Sequence, residues 1–529
     1  MYPICTSRSP RSAAIIEPVM VSGLQQDSLV SALKKRYPVL LLMAVAVSRF
    51  LFRSHDLYDI DSVDFGLALR RFDPSVYQPH PPGYFLYICL GRLLTHVWPD
   101  PNTALVSLSI AASCGAVWFI FLLSRRWYGE RPALISLVLF LVSPLCWFHG
   151  IVALTYIVEA FFSALLGYLC WRAYRGESQF AIGASIVYAV AAGFRPSAAL
   201  LLGPLWLLSM WRTGKRHRVL ALAAAGITGL SWFIPMIQVS GGLGHYFEPL
   251  WQLWIRVPGR RTTLQSPVMA IARFLTIDRI LCLCFGFAVP FLVWPRGKNG
   301  ARVEGLRPFV WVWIGPGLIF FSFVFLTYIN SGYLLVICPP LFAWVSTQID
   351  QFLALPGRPV LRRVALAAGA LANCAVFLFA PLYCTHRGVA TFERDLAVIR
   401  GDFGAHLDPT DTVIVGFDSH FMGYRHAGYY LPDFVTVQYP EVTYPDGKRV
   451  FLMHSGDTQL RPQFSVARFR RFVFLPLPPG PDYSAYLHGV LAQMPEGHVK
   501  ALKLGRSMVF TGPVSALSTL FPTTARDCP

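Results

Sequence analysis

Long apolar runs, each near the roughly 20 residues that a bilayer-crossing helix needs, alternate along this chain with short connections rich in arginine. Eleven spans are predicted, at 37–54, 103–123, 132–148, 150–171, 179–194, 196–212, 218–239, 280–295, 308–328, 331–348 and 363–384. Basic residues cluster in every second connection: Lys34, Lys35 and Arg36; Arg125, Arg126 and Arg131; Arg172 and Arg175; Arg212, Lys215, Arg216 and Arg218; Arg296, Lys298, Arg302 and Arg307; Arg358, Arg362 and Arg363. Because Lys and Arg are retained on the cytoplasmic side, residues 1–36 are expected inside and everything after Cys384 outside. Residues 1–30 lack a charged segment followed by a hydrophobic core, so no cleaved signal peptide is expected.

This topology leaves three outer segments long enough to hold a site: the loops 55–102 and 240–279 within the membrane domain 37–384, and the tail 385–529. The inner connections 124–131 and 172–178 are too short to fold into a catalytic unit. In the tail, β-type runs at Thr412–Val415, Phe434–Gln438, Arg449–Met453, Phe472–Leu477 and Met508–Thr511 alternate with helix-like pieces at Phe392–Arg400 and Tyr483–Met494. A small α/β domain on the outer side follows. The fold class is therefore mainly α, a polytopic membrane protein with about eleven helices plus this α/β domain.

Composition agrees: of 529 residues 54% are apolar and only 14% charged, against about a quarter charged in soluble domains. The net charge of +18 lies mainly between apolar runs, so no nucleic-acid partner is implied. The eleven cysteines form no metal-binding ladder, and Cys384 with Cys528 is the one pair placed to meet outside. Asp418-Ser419-His420 is read as a turn, since adjacent residues do not converge into a triad. His420, His426 and His454 fit no metal spacing and are read as scattered surface histidines.

The first outer loop carries the densest chemistry. Tyr58-Asp59-Ile60-Asp61-Ser62-Val63-Asp64-Phe65 places three carboxylates at the end of a span. Ser62 is a candidate N-cap of a helix whose Phe65, Ala68, Leu69 and Phe72 make one apolar stripe, predicted to lie on the membrane surface. Downstream, Pro79, Pro81 and Pro82 fix the backbone around His80, and Gly83 lets the chain turn at Tyr84 into an apolar run. One reading is a preorganised polar site; the other is solvated loop charges and a histidine bonded to backbone.

An acidic pair after the first span, a surface helix and a His-Pro-Pro-Gly-Tyr corner resemble the integral-membrane glycosyltransferases of the GT-C superfamily, in particular the family 39 and protein O-mannosyltransferase-like group. The resemblance implies transfer of a sugar from a polyprenyl-phosphate carrier to an acceptor hydroxyl on lipid, glycan or protein at the outer membrane face. It also implies an Asp as catalytic base, which carries over best to Asp61 and next to Asp59. Where the family has Asp-Glu, this chain has Asp59-Ile60-Asp61 and Asp64, so the choice among the three stays open.

The chemistry is consistent with these residues. A phosphate leaves as a stable anion and needs no general acid, whereas the acceptor hydroxyl must lose a proton, for which one carboxylate suffices. The leaving phosphate needs positive charge from arginine or a metal. Arg195, alone in an apolar turn, and Arg256 and Arg260 in the second outer loop are phosphate candidates, with snorkelling to headgroups and the interfacial belt as the competing readings. Asp64, His80, Tyr84 and Tyr333 complete the substrate-binding candidates. Glu159, the only acid deep within a predicted span, marks function or a buried partner, and Asn330 lies in an outer turn beside Tyr333. Carboxylates with one imidazole suit Mg²⁺, Mn²⁺ or Zn²⁺, although no ligand set is legible. A transporter or lipid flippase is the rival, but no internal repeat is seen; a scaffold would not need so many spans. Compact loops favour a bacterial inner membrane.

Overall fold

The computed structural model describes residues 20–256, 267–294, 303–417, 419–439, 442–443, 449–450, 453–454, 469–476, 489–492, 494 and 497–519. The protein is an integral membrane, mainly helical one with a small sheet near its C-terminus. Among the described residues five helices are long and apolar enough to cross a membrane: Pro101–Tyr128, Lys215–Val239, Ile271–Leu292, Leu306–Phe323 and Pro359–Phe379.

Several other predicted spans are shorter or broken, and the eleven-span count is not supported as it stands. The run 132–148 divides into helices Glu130–Leu141 and Pro144–His149. Pro144 cannot continue a helix, and Ser143 caps the second one by accepting from the Cys146 amide. Arg49, fully buried, donates from Nη1 to Leu141 O at 3.0 Å and from Nη2 to Phe140 O at 3.2 Å. A cation thus satisfies the open carbonyl end of the first helix. Phe180–Phe194 and Ser197–Trp211 have 15 residues each, about 22 Å of helix, short of a roughly 30 Å hydrocarbon core. The predicted span at 331–348 opens as a 3-10 turn, Ser331–Val336, before the helix Cys338–Ala354. Ile271–Leu292 starts well before the predicted 280.

Close packing at small residues holds the bundle. A Cβ on Gly167 would come within 2 Å of the Trp313 ring, so only glycine admits that indole. Its Nε1 donates to Ser163 Oγ at 2.9 Å, and Ser163 Oγ donates to Val336 O at 2.6 Å. Three helical segments are thereby tied by side-chain hydrogen bonds in an apolar setting, where small residues and hydroxyls are the usual interhelical contacts.

The C-terminal sheet has six strands in the order β5-β2-β1-β6-β8-β7. These are β1 Thr412–Phe417, β2 Val435–Tyr439, β5 Met453–His454, β6 Arg471–Phe474, β7 Lys500–Leu504 and β8 Ser507–Pro513; β3 Val442–Thr443 and β4 Arg449–Val450 pair separately. β1 runs parallel to β2 and β6, with Val413 opposite both Val435 and Phe472. β1 and β2 are buried along their whole length, as a strand covered on both faces must be. The predicted helix at Phe392–Arg400 extends to His386–His406. The Lys-rich edge strand β7 and the short helix Tyr424–Tyr430 were not expected, the predicted run Arg449–Met453 divides between β4 and β5, and most of the predicted helix Tyr483–Met494 lies outside the described residues.

This C-terminal part grips the segment after the first long helix, Met20–Leu51. The His55 amide donates to Glu393 Oε1 at 2.6 Å, the Leu57 amide to Tyr430 Oη at 2.6 Å, and the Ile60 amide to His420 O at 2.9 Å. Tyr58 Oη donates to Tyr383 O at 2.7 Å, and His426 Nε2 lies 3.2 Å from Tyr58 O. The Gly423 amide reaches His426 Nδ1 at 3.3 Å, which assigns the neutral imidazole its tautomer: Nε2 carries the proton and Nδ1 accepts.

Burial pushes His426 down to about 4, against the smaller opposing effect of the Tyr58 carbonyl. A base with a depressed folded value stabilises the fold above its ordinary value near 6.5 and loses that contribution as pH falls toward 4, up to about 3 kcal/mol. His426→Gln is expected to flatten the loss of thermal stability between pH 6.5 and 4 for the detergent-purified protein. Parallel curves for variant and wild type would refute this.

Candidate functional site

The rigid corner begins at Asp73, whose carboxylate accepts from the Ser75 amide at 3.2 Å. Tyr77 sits in the left-handed region with φ 60°, and cis peptides precede Pro79 and Pro82. The Gly83 amide closes a turn on His80 O at 3.1 Å, and Tyr246 Oη donates to Pro82 O at 3.0 Å. Gly83, at φ 102°, adopts a backbone conformation that favours glycine. The chain then enters the helix Phe85–Thr95. The His80 ring is held between Phe65, at 5.5 Å, and Tyr84, with Nε2 3.0 Å from Tyr84 Oη.

His80 Nδ1 faces the acidic helix start, 3.5 Å from Asp61 Oδ1 and 3.6 Å from Asp64 Oδ2. That helix spans Ile60–Arg70 and its cap is Asp59, which accepts from the Asp61 amide at 2.9 Å. The expected cap Ser62 is instead buried within the first turn. Ser62 to Leu69 are all buried within the protein, and Tyr424–Tyr430 packs against this helix.

The three carboxylates have different surroundings. Asp59 lies 3.5 Å from His420 Nδ1. Burial raises its pKa, opposed by His420. Asp64, 4% exposed, pairs through Oδ1 with Arg425 Nη1 at 2.6 Å; the contact is charge to charge, off the line of a well-aligned hydrogen bond. Burial raises the Asp64 pKa too, against Arg425 and His80. Asp61 is 25% exposed, and among the described residues no arginine pairs with its carboxylate. For His80, burial acts downward but Asp61 and Asp64 outweigh it, and the imidazole titrates above its ordinary value.

Beyond Tyr84 lies a second charged group. Arg195 ends the helix Phe180–Phe194 in an extended conformation before Pro196, as the residue before a proline prefers. Its Nε is 2.8 Å from Glu159 Oε2, Nη1 donates to Thr155 Oγ1, and Ser197 Oγ donates to Glu159 Oε1 at 2.9 Å. The guanidinium lies 4.3 Å from the Tyr156 ring, 4.6 Å from Tyr333 and 5.7 Å from Tyr84. Arg195 is thus buried and paired, not snorkelling. Tyr156 Oη donates to Asn330 Oδ1 at 3.3 Å, and Gly332 allows the close approach of the Tyr156 ring.

The structure therefore gathers Asp59, Asp61, Asp64, His80, Tyr84, Arg195 and Tyr333 around one corner. Arg260 lies outside the described residues; Arg256 is in the helix Leu243–Arg256, but its side chain is outside them as well, as are Asp418, Cys528 and the side chain of His454. His420 and His426 are not scattered surface groups: the first faces Asp59 and the second is buried. Arg425 was missed, since a seven-residue helix of aromatic and basic residues shows no apolar period. A cavity of about 670 Å³ opens on the far side of Tyr58 and Phe421, between His386–His406 and the sheet. It excludes Asp61, Asp64 and His80, so the polar corner rather than the cavity marks the chemistry.

Ligand atoms of Asp61, Asp64 and His80 all lie within 4.8 Å of one another. His80 Nδ1 is buried there without a hydrogen-bond partner, and two carboxylate oxygens with one imidazole nitrogen are a fitting donor set for a divalent cation.

No protein-family model and no curated protein matches the chain. Among solved structures, ArnT from Cupriavidus metallidurans bound to undecaprenyl phosphate is similar at a TM-score of 0.52 and 13% identity, over 90% of this chain and 98% of that one. The apo state of ArnT gives 0.50 and 11%, over 92% and 99%. An Archaeoglobus fulgidus oligosaccharyltransferase in complex with Zn and sulfate is further off, at 0.44 and 12%, over 83% and 67%. The chain has the fold of ArnT.

The buried Arg195–Glu159 pair yields a stability prediction. Removing one partner strands the other charge, which costs about 3–5 kcal/mol. Glu159→Leu is expected to lower the thermal midpoint sharply, and Glu159→Leu with Arg195→Met to recover most of the loss. Additive losses in the double variant would show that the two residues are not coupled.

Proposed function

We propose that this protein is a glycosyltransferase that moves a sugar from a polyprenyl-phosphate carrier to an acceptor hydroxyl at the outer membrane face, with Asp61 as general base. The observation that carries the reading is the difference among the carboxylates. Asp59 is spent on a helix cap and His420, and Asp64 on Arg425, whereas Asp61 is the more exposed and has no arginine partner among the described residues. The ArnT fold supports it, that protein having been solved with undecaprenyl phosphate bound.

In this reading the acceptor oxygen attacks the anomeric carbon as its proton passes to Asp61. The bond from that carbon to the phosphate oxygen breaks, and polyprenyl phosphate leaves with the electron pair, inverting the sugar. Arg195, fixed by Glu159 and ringed by Tyr84, Tyr156 and Tyr333, binds the phosphate; preorganised charge of this kind acts without reorganising during reaction. Arg256 or Arg260, whose side chains lie outside the described residues, is the candidate for a further phosphate contact. Asp61, Asp64 and His80 would hold a divalent metal through one ligand atom each, leaving the other Asp61 oxygen to take the proton, and the metal would supply positive charge beside the donor. The N-terminus is cytoplasmic, the tail after Cys384 is extracytoplasmic, and the membrane is a bacterial inner one.

The test is turnover of a panel of undecaprenyl-phosphate-linked sugars by purified wild type and Asp61→Asn. The variant keeps the Asp59 cap and should fold normally while losing about 10²–10⁴-fold in kcat. Unchanged turnover would remove Asp61 from the mechanism. Mn²⁺ or Zn²⁺ should raise the thermal midpoint of wild type saturably and of His80→Ala much less; an equal rise in both would overturn the metal assignment.

A further inference from the structure

Arg425 is 2% exposed, and it reaches two walls of the site from a third. It belongs to the short helix Tyr424–Tyr430 between β1 and β2. Nη1 lies 2.6 Å from Asp64 Oδ1, on the acidic helix, and donates to Tyr77 O at 3.2 Å, just before the proline corner. Nε donates to Tyr424 Oη at 2.9 Å, and the Tyr77 and Tyr424 rings flank the guanidinium at 5.3 and 5.4 Å. The flanking residues make the same crossing: the Ile60 amide donates to His420 O, and His426 meets Tyr58 O. Every carboxylate of the site therefore lies on backbone that residues 420–426 hold.

Resting on the reading above, we infer that Arg425 is a positioning residue of the transfer reaction. It holds Asp64 by Oδ1 so that Oδ2 faces His80 Nδ1, and it balances the charge of Asp64 so that Asp61 is left as the reactive acid. At the same time it fixes the distance between the acidic helix and the corner that carries His80. The C-terminal α/β segment is accordingly a wall of the site, not an appended module. A guanidinium suits this, because separate nitrogens on one rigid group, Nη1 and Nε, reach a carboxylate and a carbonyl on one side and a phenol on the other, whereas a lysine ammonium is a point donor on a flexible stem.

The test measures kcat and KM of the full-length protein with the undecaprenyl-phosphate-linked sugar that wild type turns over in the panel, beside thermal midpoints. Arg425→Met is expected to lower kcat about 100-fold with KM for the donor unchanged, since misplacing reacting groups by about 1 Å has an effect of that size. Arg425→Lys should recover part of that loss at a wild-type midpoint and remain about 10-fold below wild type in kcat. Should Arg425→Met not fold, Arg425→Lys decides alone: lowered kcat at a wild-type midpoint supports the inference. Wild-type kcat in either folded variant, or a loss confined to KM, overturns it. Loss of turnover in Asp61→Asn with wild-type kcat in Arg425→Met would sink only this inference, whereas a silent Asp61→Asn would sink the functional reading itself.

Discussion

The contact between Asp64 and Arg425 is the constraint on which the rest of the site depends. A carboxylate with 4% of its side chain exposed stays charged only when a cation and hydrogen-bond donors replace its water, because an unpaired buried charge costs several kcal/mol. Arg425 supplies that cation, and it comes from the C-terminal segment. The acidic helix can therefore be buried only where this segment docks. Docking in turn uses backbone groups that are still free: the amides of His55, Leu57 and Ile60 find Glu393, Tyr430 and His420. Folding of the sheet and assembly of the polar corner are one event in energetic terms.

The same logic separates two kinds of arginine. Arg425 is committed through Nη1 to Asp64 and Tyr77 and through Nε to Tyr424, while its buried Nη2 has no hydrogen-bond partner among the described residues. Arg195 pairs with Glu159 but also turns a face toward three tyrosine rings. Cation–π contacts are weaker than a carboxylate pair, so an anion arriving among those rings meets a guanidinium that is already oriented yet can still accept a new partner. Glu159 keeps Arg195 in place at the end of a short helix.

How much of this was legible follows from how local each signal is. His80 was legible because its neighbours Pro79, Pro81, Pro82 and Gly83 restrict the backbone whatever lies around them. The acids at 59–64 were legible as a group, but their order of commitment was not: Asp59 became the cap in place of Ser62, since a cap is decided by the first residue whose side chain can reach back to a free amide. The pairing of Glu159 with Arg195 joins a predicted span to the turn between two others, and hydropathy says nothing of which faces meet. Arg425 was invisible because its helix has only seven residues and is stabilised by what it packs against. Span lengths failed for a related reason. Hydropathy reports apolarity, whereas the break at Ser143-Pro144 depends on Arg49 filling the exposed helix end.

In the proposed reaction the base, Asp61, stands between two committed carboxylates, Asp59 and Asp64. A base must be ionised yet able to take a proton, and neighbouring negative charge makes protonation easier while neighbouring positive charge opposes it. With Arg425 balancing Asp64, and His80 shared between Asp64 and Asp61, the charge nearest Asp61 is close to neutral overall. The positive charge of Arg195 lies beyond Tyr84, apart from the cluster of Asp61, Asp64 and His80. In the proposed reaction the proton acceptor and the phosphate-binding cation are therefore separate groups, so neither quenches the other.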